Sequence, residues 1–266
     1  MTIAHIDARN SPLAGVNALA KLAAALILSV ALLLSIDPVS AGVSLALTLI
    51  LLAFARLPVR AIVHRAWPIV LSALVAAAAT VLYGRTSGTV YVEWGLLRIS
   101  DGSIDLALAI LLRVLALALP AIALFATTDP TDLADALAQL LRLPARFVLG
   151  ALAGLRLVGL LVDDWRELAL ARRARGVADA GRLRRFLGMA FALFVLAIRR
   201  GSHLATAMEA RGFGADARPG APRRTWARPS RLRPRDGVLV LLAVAIAAAA
   251  VGTAVATGSW TFILGL

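Results

Sequence analysis

The chain has no cysteine, very few histidines and a single lysine, and these shortages narrow the classes of function open to it. Without cysteine there is no disulfide framework and no thiolate site for metal or redox chemistry. The three histidines, His5, His64 and His203, are far apart in the sequence, so no metal or haem site built on histidine is expected. No Walker A or Gly-x-Gly-x-x-Gly pattern occurs, so we expect no bound cofactor and no ATP site in this chain.

Long apolar runs dominate the sequence. Hydrophobic residues make up 61% of the 266 residues, and a continuous run of about 20 apolar residues is the length that crosses the hydrocarbon core of a bilayer as a helix. The chain is therefore predicted to be an all-α membrane protein with about five transmembrane helices plus cytoplasmic or interfacial helices. The predicted spans lie at about 15–36, 39–55, 66–83, 104–126 and 237–256.

The positive charge is concentrated in segments beside these spans. A formal net charge of +13 suits nucleic acid, anionic lipid or an acidic protein in general. Its position beside apolar helices favours anionic lipids and cytoplasmic loops, and no nucleic-acid partner is expected. Segment 127–236 alone has twenty Arg and ten Asp or Glu. The positive-inside rule then predicts a multi-pass protein of the cell (plasma) membrane, with this segment and the N-terminus in the cytoplasm and the C-terminus outside.

Two further apolar stretches, 147–162 and 186–198, bear on that topology. The second is too short for the hydrocarbon core, and the first has Arg156 near its middle. If both crossed the membrane, the loop 163–185, with seven Arg against four acids, would face outside. We therefore expect two long interfacial helices that begin apolar and end polar in the cytoplasm. They lie at about 145–175 and 183–211.

These boundaries divide the chain into four segments. A membrane domain with four transmembrane helices is followed by a cytoplasmic helical segment, a basic Pro-rich linker that is expected to lie along anionic headgroups, and a last transmembrane helix. The cytoplasmic segment is expected to start with a short helix, capped by Asp129 or Thr131, that presents one apolar face. The segments are 1–128, 129–213, 214–236 and 237–266, and the face consists of Leu133, Leu137, Leu140 and Leu141.

Two copies of the tripeptide Ala-Arg-Gly lie in the cytoplasmic segment, at 174–176 and 210–212. Each lies where a long helix is expected to end, with Arg in the last turn and Gly just past it. One such tripeptide would mean little in a chain rich in Ala and Arg. A matched pair means more, because Arg keeps its charge and has five N–H donors, and the flanking Ala and Gly add little bulk. The pair predicts two helix tips that insert into two similar acidic grooves.

With these motifs the chain resembles the transmembrane T component of energy-coupling factor (ECF) transporters, the EcfT or CbiQ-like family of ATP-driven importers. The similarity extends over the whole order of segments, from the N-terminal spans through the basic segment to the last span. The matching strings are ARRARG at 171–176, AMEARGF at 207–213, TTDPTDLADAL at 127–137 and Lys21-Leu22 in the first helix.

The resemblance implies a non-catalytic scaffold with several protein partners. In that family the two motifs end coupling helices and dock into grooves on two cytoplasmic ABC-type ATPase subunits, which bind the ATP. A separate membrane S component binds the vitamin or transition metal that is imported. The resemblance implies contact roles for the two Arg and shaping roles for their neighbours. The implied ATPase-binding residues are Ala174, Arg175, Gly176, Ala210, Arg211 and Gly212.

Several other residues admit a structural or a functional interpretation. Gly150 and Gly154 form a small-xxx-small pair, which predicts either loose packing or a close crossing of the two long helices. Arg113 lies inside the fourth span, where it faces a helix partner, a carbonyl or lipid, or lines a transport path. An acidic cluster is expected to pair with nearby Arg rather than to act as catalytic carboxylates. It consists of Asp163, Asp164 and Glu167, beside Arg166.

Three other functions stay open from the residues alone. A conventional ABC permease would carry its own substrate path, which needs more polar residues in the spans than Lys21 and Arg113. A membrane-embedded enzyme would need clustered His, Asp, Glu or Ser at one depth of the bundle. A basic membrane tether would need the Arg residues but not two matched helix tips.

Overall fold

The computed structural model describes residues 11–34, 37–84, 87–94, 97–176, 181–213, 226 and 228–260. Within this part, the chain forms eight α-helices, a short 3₁₀ helix (Pro12–Gly15) and one β-hairpin. The prediction of an all-α membrane protein is thereby confirmed. The helices are α1 (Ala18–Leu33), α2 (Pro38–Phe54), α3 (Val59–Tyr83), α4 (Asp101–Ala126), α5 (Pro130–Gln139), α6 (Ala145–Ala174), α7 (Arg182–Ala210) and α8 (Pro234–Ala256).

The chain divides into two compact units. We call the first the bundle unit; it comprises the described residues of 11–129 and 231–260 and contains α1 to α4 and α8. The second, the tip unit, comprises the described residues of Pro130–Ser230 and contains α5 to α7. The finer division of the sequence into four segments stays a prediction, and most of the predicted linker 214–236 lies outside the described residues.

Side-chain caps set the helix starts in the bundle unit. The Asn17 carboxamide oxygen accepts a hydrogen bond from the backbone N–H two residues later, at 2.9 Å, where α1 begins. The Asp37 carboxylate accepts from the backbone N–H of Ser40 at 2.6 Å, where α2 begins with a proline. Ser100 and Ser103 form a reciprocal capping box at the start of α4. These caps satisfy backbone donors that would otherwise lie unpaired at the ends of apolar helices.

The core of the bundle unit is built largely from small side chains. Helix α1 packs against α4 and α8, α2 packs against α4 and α8, and α3 packs against α4. Small residues at these contacts let the helix axes approach closely. The central buried cluster includes Ala24, Leu28, Ala123, Leu124, Leu239, Ala243 and Ile246.

A buried carboxylate joins the first turns of α1 and α8. Asp236, only 3% exposed, accepts a hydrogen bond from the backbone N–H of Asn17 at 2.7 Å and another from the backbone N–H of Arg233 at 2.6 Å. The Ser11 hydroxyl donates to the carbonyl oxygen of Ala55 at 2.7 Å, which ties the 3₁₀ helix to the end of α2. The three helix ends are therefore held at one end of the bundle unit.

The β-hairpin between α3 and α4 is a feature that the sequence analysis did not anticipate. Strand β1 (Val90–Trp94) pairs antiparallel with β2 (Leu97–Ser100), and the register places Val90 opposite Ser100. β-Branched and aromatic residues are frequent in this short stretch, and such residues favour strands. The hairpin lies in the connection between the third and fourth predicted spans.

The apolar face predicted for α5 is only partly correct. Helix α5 begins at Pro130, so Asp129 occupies the N-cap position, but it ends at Gln139. Leu140 and Leu141 follow the helix and are not part of its face, which corrects the prediction. The small alanines lie deeper than the half-buried leucines because they allow a closer approach to the neighbouring backbone. The buried residues of α5 are Ala134, Ala136 and Ala138.

The helices that are long and apolar enough to cross a membrane are not the same five that we predicted. By length and composition the described part of the chain has five such helices, namely α3, α4, α6, α7 and α8. Helices α1 and α2, with 16 and 17 residues, are shorter. From the sequence we predicted α1 and α2 as spans, and α6 and α7 as interfacial helices. Helix α6 begins largely apolar and ends polar, whereas α7 has an apolar middle between a basic start and a polar end. Length and mean composition therefore do not distinguish a span from an interfacial helix.

Cysteine labelling distinguishes these topologies, since the chain has no cysteine of its own. Arg184 and Thr257 are exposed at the start of α7 and just past the end of α8. From the positive-inside rule we expect Thr257→Cys to react with a membrane-impermeant maleimide added to intact cells, and Arg184→Cys to react only after lysis. If Arg184→Cys is labelled from outside, α6 and α7 both cross the membrane and the interfacial assignment is wrong.

Candidate functional site

The first Ala-Arg-Gly copy forms the end of α6. Ala174 is the last residue of the helix, and Arg175 is its C-cap with φ −88° and ψ 3°. Gly176 has φ +68°, in the left-handed region that glycine adopts without a steric penalty. Its backbone N–H donates to the carbonyl oxygen of Arg173 at 3.0 Å, one of the two bonds of a glycine-terminated helix end.

The second copy forms the end of α7 with the same backbone geometry. Ala210 is again the last helical residue, and Arg211 is the C-cap with φ −89° and ψ 10°. Gly212 has φ +80°. Its N–H donates to the carbonyl of Glu209 at 2.9 Å, and the next N–H, that of Phe213, donates to a carbonyl one residue further back, also at 2.9 Å. The prediction that both motifs end long helices is confirmed, while their role in binding a partner stays a prediction.

Both tips are exposed within this chain. All six motif residues have exposed surfaces, and a Cβ built at either glycine meets no atom within 4 Å. In the described part of the chain, neither the Arg175 nor the Arg211 guanidinium has a hydrogen-bond or ion-pair partner. Two cationic helix ends of like geometry are thus available to a ligand or a protein partner.

An ion pair fastens α6 to α7. The Arg200 guanidinium makes two hydrogen bonds with the Asp164 carboxylate, at 2.5 and 2.9 Å. The Asp164 side chain is 11% exposed and that of Arg200 is 35% exposed. A bidentate geometry fixes the orientation of both groups as well as their separation. The pair therefore links two helices that carry one motif each, and we call it the α6–α7 clamp.

An aromatic contact, a close approach at Gly188 and a buried methionine support the clamp. The rings of Trp165 and Phe186 are tilted against each other with their centroids 5.5 Å apart. The Arg172 guanidinium lies close to Gly188, since a Cβ built there would be 3.0 Å from an Arg172 nitrogen. Met189 is 1% exposed and is the most deeply buried side chain of α7. Arg172, unlike Arg175, is therefore part of the packing between the helices.

Of the two interpretations of Gly150 and Gly154, loose packing agrees better with the contacts within this chain than a close crossing of α6 and α7 does. A Cβ built at either glycine has no heavy atom within 4 Å, so nothing approaches the helix there. The contacts between α6 and α7 lie nearer the polar end of α6, where Asp164, Trp165 and Arg172 are found. Small residues permit close packing, but charge pairing and large side chains determine where these two helices meet.

The acidic cluster in α6 pairs with arginines, as expected, but one of the partners was missed. Asp163 accepts from Arg166 at 3.3 Å in an exposed pair one turn apart. Asp164 turns the other way and pairs with Arg200, which is 36 residues distant. No sequence spacing signals a pair of that separation. In the described residues, no group of three or more His, Cys, Asp or Glu could hold a metal ion.

Helix α5 is held by the segment that precedes α8. The Gln139 carboxamide donates to the carbonyl of Arg228 at 2.8 Å and accepts from the backbone N–H of Ser230 at 2.8 Å. Burial raises the pKa of the Asp135 carboxyl and the charge of Asp132 raises it further, whereas Arg228 lowers it. Arg228 thus offsets a local excess of negative charge on α5.

Lys21, one of the residues that carried the family resemblance, fixes the end of α4. It is 3% exposed, and its ammonium group donates to the carbonyl oxygen of Thr127 at 2.8 Å and to the Thr127 hydroxyl at 3.2 Å. Thr127 is the C-cap of α4, where a cation also interacts favourably with the helix dipole. Lys21 therefore fixes the point at which the chain leaves α4, three residues before α5 begins.

Removing that ammonium group should weaken the bundle unit. We expect Lys21→Met, which keeps an unbranched apolar stem, to lower the free energy of unfolding by about 1–3 kcal/mol, because buried acceptors at Thr127 lose their donor. Leu26→Met on an exposed face of α1 is the control, and a change within about 0.5 kcal/mol is expected there. Thermal unfolding in detergent measures both, and equal midpoints for the two variants would contradict the role of Lys21.

Arg113 has an acidic neighbour in the bundle unit. It is half-buried in α4, where burial disfavours its charge and the negative charge of Asp37 offsets part of that cost. Asp37 is itself 4% exposed at the start of α2. This interaction supports the interpretation in which Arg113 faces a neighbouring helix.

These features define a multi-pass α-helical membrane protein with two matched basic helix tips. The CbiQ family, described as cobalt transport protein, matches residues 9–220 of the chain. Energy-coupling factor transporter transmembrane protein EcfT of Limosilactobacillus fermentum is 35% identical over 160 residues, which cover 55% of this chain and 60% of that protein. The protein of the same name from Exiguobacterium sibiricum is 33% identical over 211 residues, which cover 75% of this chain and 78% of that protein.

A third relative of that name, from Staphylococcus aureus, is 30% identical over 172 residues, with 60% of this chain and 62% of that protein covered. The chain thus spans less than two thirds of the L. fermentum and S. aureus relatives and more than three quarters of the Exiguobacterium one. On the match over residues 9–220 and on these relatives, the chain belongs to the CbiQ family as an ECF transporter transmembrane component.

Proposed function

We propose that this chain is the coupling scaffold of an ECF-type importer. Two ABC-type ATPase subunits dock on the tips of α6 and α7, and a membrane S component supplies the substrate, a vitamin or a transition-metal ion. The observation that carries the proposal is the pair of exposed helix ends with the same residues and the same backbone geometry. The names of the relatives, which place them in ECF transporters, support it.

The geometry of each tip suits an acidic groove. An arginine at the C-cap projects from the end of the helix, where five N–H donors are available for carboxylates. The following glycine has no side chain, so the backbone of a partner can approach it closely. In a desolvated groove the charge-assisted hydrogen bonds are stronger than at an open surface. Two equivalent tips would match two ATPase subunits that present the same kind of groove.

The α6–α7 clamp gives the tips a route for transmitting motion. An ATPase that moves one tip exerts force along a helix of about 30 residues. Because Asp164 and Arg200 hold the two helices in a fixed relation, movement of one helix displaces the other. The clamp thus converts the closing of two ATPases into a joint movement of α6 and α7.

The apolar parts of α6 and α7 provide a surface for a membrane partner. Large side chains along both helices are exposed within this chain, far more than a soluble protein leaves uncovered. Lipid, or the S component at the membrane interface, would cover them. Those exposed by more than half include Phe147, Leu155, Val158, Phe191, Phe194 and Ile198.

In the proposed complex, the two ATPase subunits hydrolyse the ATP. This chain would act in the plasma membrane with its N-terminus and both tips in the cytoplasm, where ATP is present. Substrate choice would rest with the S component, and this chain would recognise neither the vitamin nor the metal.

The composition of the complex tests the proposal. We expect the tagged chain, purified from its native membranes in mild detergent, to bring down two Walker A-containing ATPase subunits per chain and one small hydrophobic membrane protein. Uptake of the substrate bound by that protein should require ATP and all the subunits in proteoliposomes. A chain that purifies without an ATPase, or that transports a substrate without an S component, would favour a membrane tether or a conventional permease.

A further inference from the structure

An apolar cleft opens at the end of the bundle unit where the 3₁₀ helix lies. Its volume is about 390 Å³, and its walls come from the 3₁₀ helix, α1, α2, α4 and α8. Nearly every lining residue is apolar; the exceptions are Arg235 in the first turn of α8 and Thr48 in α2. Clefts of this size with an apolar wall and a few placed polar groups are typical of small-ligand sites.

The length of the cleft matches one leaflet of a bilayer. The lining residues of α8 extend from Arg235 to Ile246, which corresponds to about 16 Å along a helix. The hydrocarbon core of a bilayer is about 30 Å thick, so one leaflet accounts for about 15 Å. An acyl chain whose phosphate lies beside Arg235 would therefore run along α8 towards the bilayer midplane.

The two polar groups of the cleft lack partners in the described part of the chain. Arg235 is exposed, and its guanidinium has no ion-pair or hydrogen-bond partner there. Thr48 is 2% exposed, and its hydroxyl has no hydrogen-bond partner, although buried hydroxyls normally have one. Thr48 is therefore a polar residue in the wall of the cleft, and its hydroxyl is itself almost wholly buried.

Thr48 lies farther along the cleft than Phe54. It lies six residues before Phe54, which lines the cleft near the end of α2, and this places Thr48 about 9 Å deeper. The polar interface of a bilayer is about 5–8 Å thick on each side, so a residue at this depth lies among acyl chains rather than at the phosphates. A phosphate beside Arg235 would thus be followed by an acyl chain that passes Thr48.

We propose that this cleft binds one anionic phospholipid of the bilayer, with its phosphate on Arg235 and one acyl chain between α1, α2 and α8. Water would not fill an apolar cleft of this length favourably, whereas an acyl chain would. Anionic headgroups also lie where basic segments meet the membrane. The site is independent of the proposed docking of ATPases, because all its residues belong to the bundle unit.

Native mass spectrometry of the full-length chain in detergent tests the site directly. The probes are dioleoyl phosphatidylglycerol and dioleoyl phosphatidylcholine, titrated at equal concentrations. We expect one tightly retained lipid per chain, with the phosphatidylglycerol preferred. Arg235→Gln should reduce that preference about fivefold, the equivalent of about 1 kcal/mol. Arg231→Gln, which removes the same charge four residues earlier from an exposed side chain that does not line the cleft, should leave it unchanged.

A second variant fills the cleft without altering charge. Val238 lines the cleft and is 55% exposed, so Val238→Trp can enter it without displacing a packed core. We expect occupancy by the lipid to fall about tenfold, because the tryptophan ring and an acyl chain together would overfill the cleft, and overfilling is costly. Leu241→Trp, on the same helix and outside the cleft, is the control.

Three results would overturn the proposal. One is equal retention of the two lipids by the wild-type chain, and another is an equal effect of Arg231→Gln and Arg235→Gln. The third is a polypeptide that co-purifies with the chain and is lost in Val238→Trp while the lipid is retained. If Val238→Trp fails to fold, the comparison of the two exposed arginines still decides the outcome.

Discussion

Reversing the charge of both motif arginines, Arg175→Glu with Arg211→Glu, should abolish retention of the ATPase subunits and eliminate substrate uptake. Each single reversal should weaken ATPase binding about 30-fold or more, since removing one partner of a buried, hydrogen-bonded charge pair costs about 2–5 kcal/mol. Glutamate adds repulsion from the acidic groove to that loss. The double variant should still insert into the membrane, because both tips are exposed polar helix ends.

Matched controls distinguish docking of the two motifs into acidic grooves from a general effect of positive charge. Arg173→Glu lies two residues before Arg175 and Arg199→Glu lies on α7, and both side chains are exposed. Arg182→Glu at the start of α7 is a third control. Quantitative pull-down in detergent and uptake in cells measure all the variants. If the controls lose the ATPases to the same extent as Arg175→Glu, the motifs are ordinary helix ends on a basic surface.

Breaking the α6–α7 clamp should uncouple the tips from the rest of the transporter. We expect Asp164→Lys to lower the free energy of unfolding of the tip unit by about 2 kcal/mol, between the values for exposed and buried pairs. More importantly, the ATPases should remain bound and hydrolyse ATP, while uptake per ATP falls strongly. The reason is that Arg175 and Arg211 are intact but the helices behind them are no longer held together.

The chain offers a matched control for the clamp. Asp163 is the residue next to Asp164, and Asp163→Lys breaks its exposed pair with Arg166. This change should lower the free energy of unfolding by no more than about 0.5 kcal/mol. The swapped pair, Asp164→Arg with Arg200→Asp, should restore much of the coupling that Asp164→Lys removes. A swap that restores nothing, or an Asp163→Lys variant that loses as much uptake, would show that the clamp does not transmit motion.

The helix ends that form the candidate site could be read from the sequence because they follow from local chemistry. The expected helices at about 145–175 and 183–211 correspond to Ala145–Ala174 and Arg182–Ala210. Gly176 and Gly212 end these helices since glycine accepts a positive φ at low cost. Pro144 and Pro234 mark helix starts for equally local reasons. Caps and breakers of this kind act within a few residues, which is the range over which sequence patterns are informative.

The relations between helices could not be read in the same way. The pairing of Asp164 with Arg200 depends on how two helices cross, and nothing local distinguishes Arg200 from Arg199 beside it. The small-residue spacing at Gly150 and Gly154 suggested a crossing that large and charged side chains place elsewhere. Likewise, the sequence does not show that the Thr48 hydroxyl is buried without a hydrogen-bond partner, because this depends on how the helices pack. Tertiary packing, rather than any propensity, sets these features.

Photocrosslinking from the tips tests the central claim most directly. A benzophenone amino acid at position 175 or 211, irradiated in intact cells, should form adducts with ATPase subunits, identified by mass spectrometry of the crosslinked peptides. The same group at position 173 should give far less of these adducts, since that side chain precedes the C-cap. Adducts at both tips that contain an ATPase are the predicted result. Adducts only with lipid, or equal ATPase adducts from all three positions, would contradict docking through the two Ala-Arg-Gly tips.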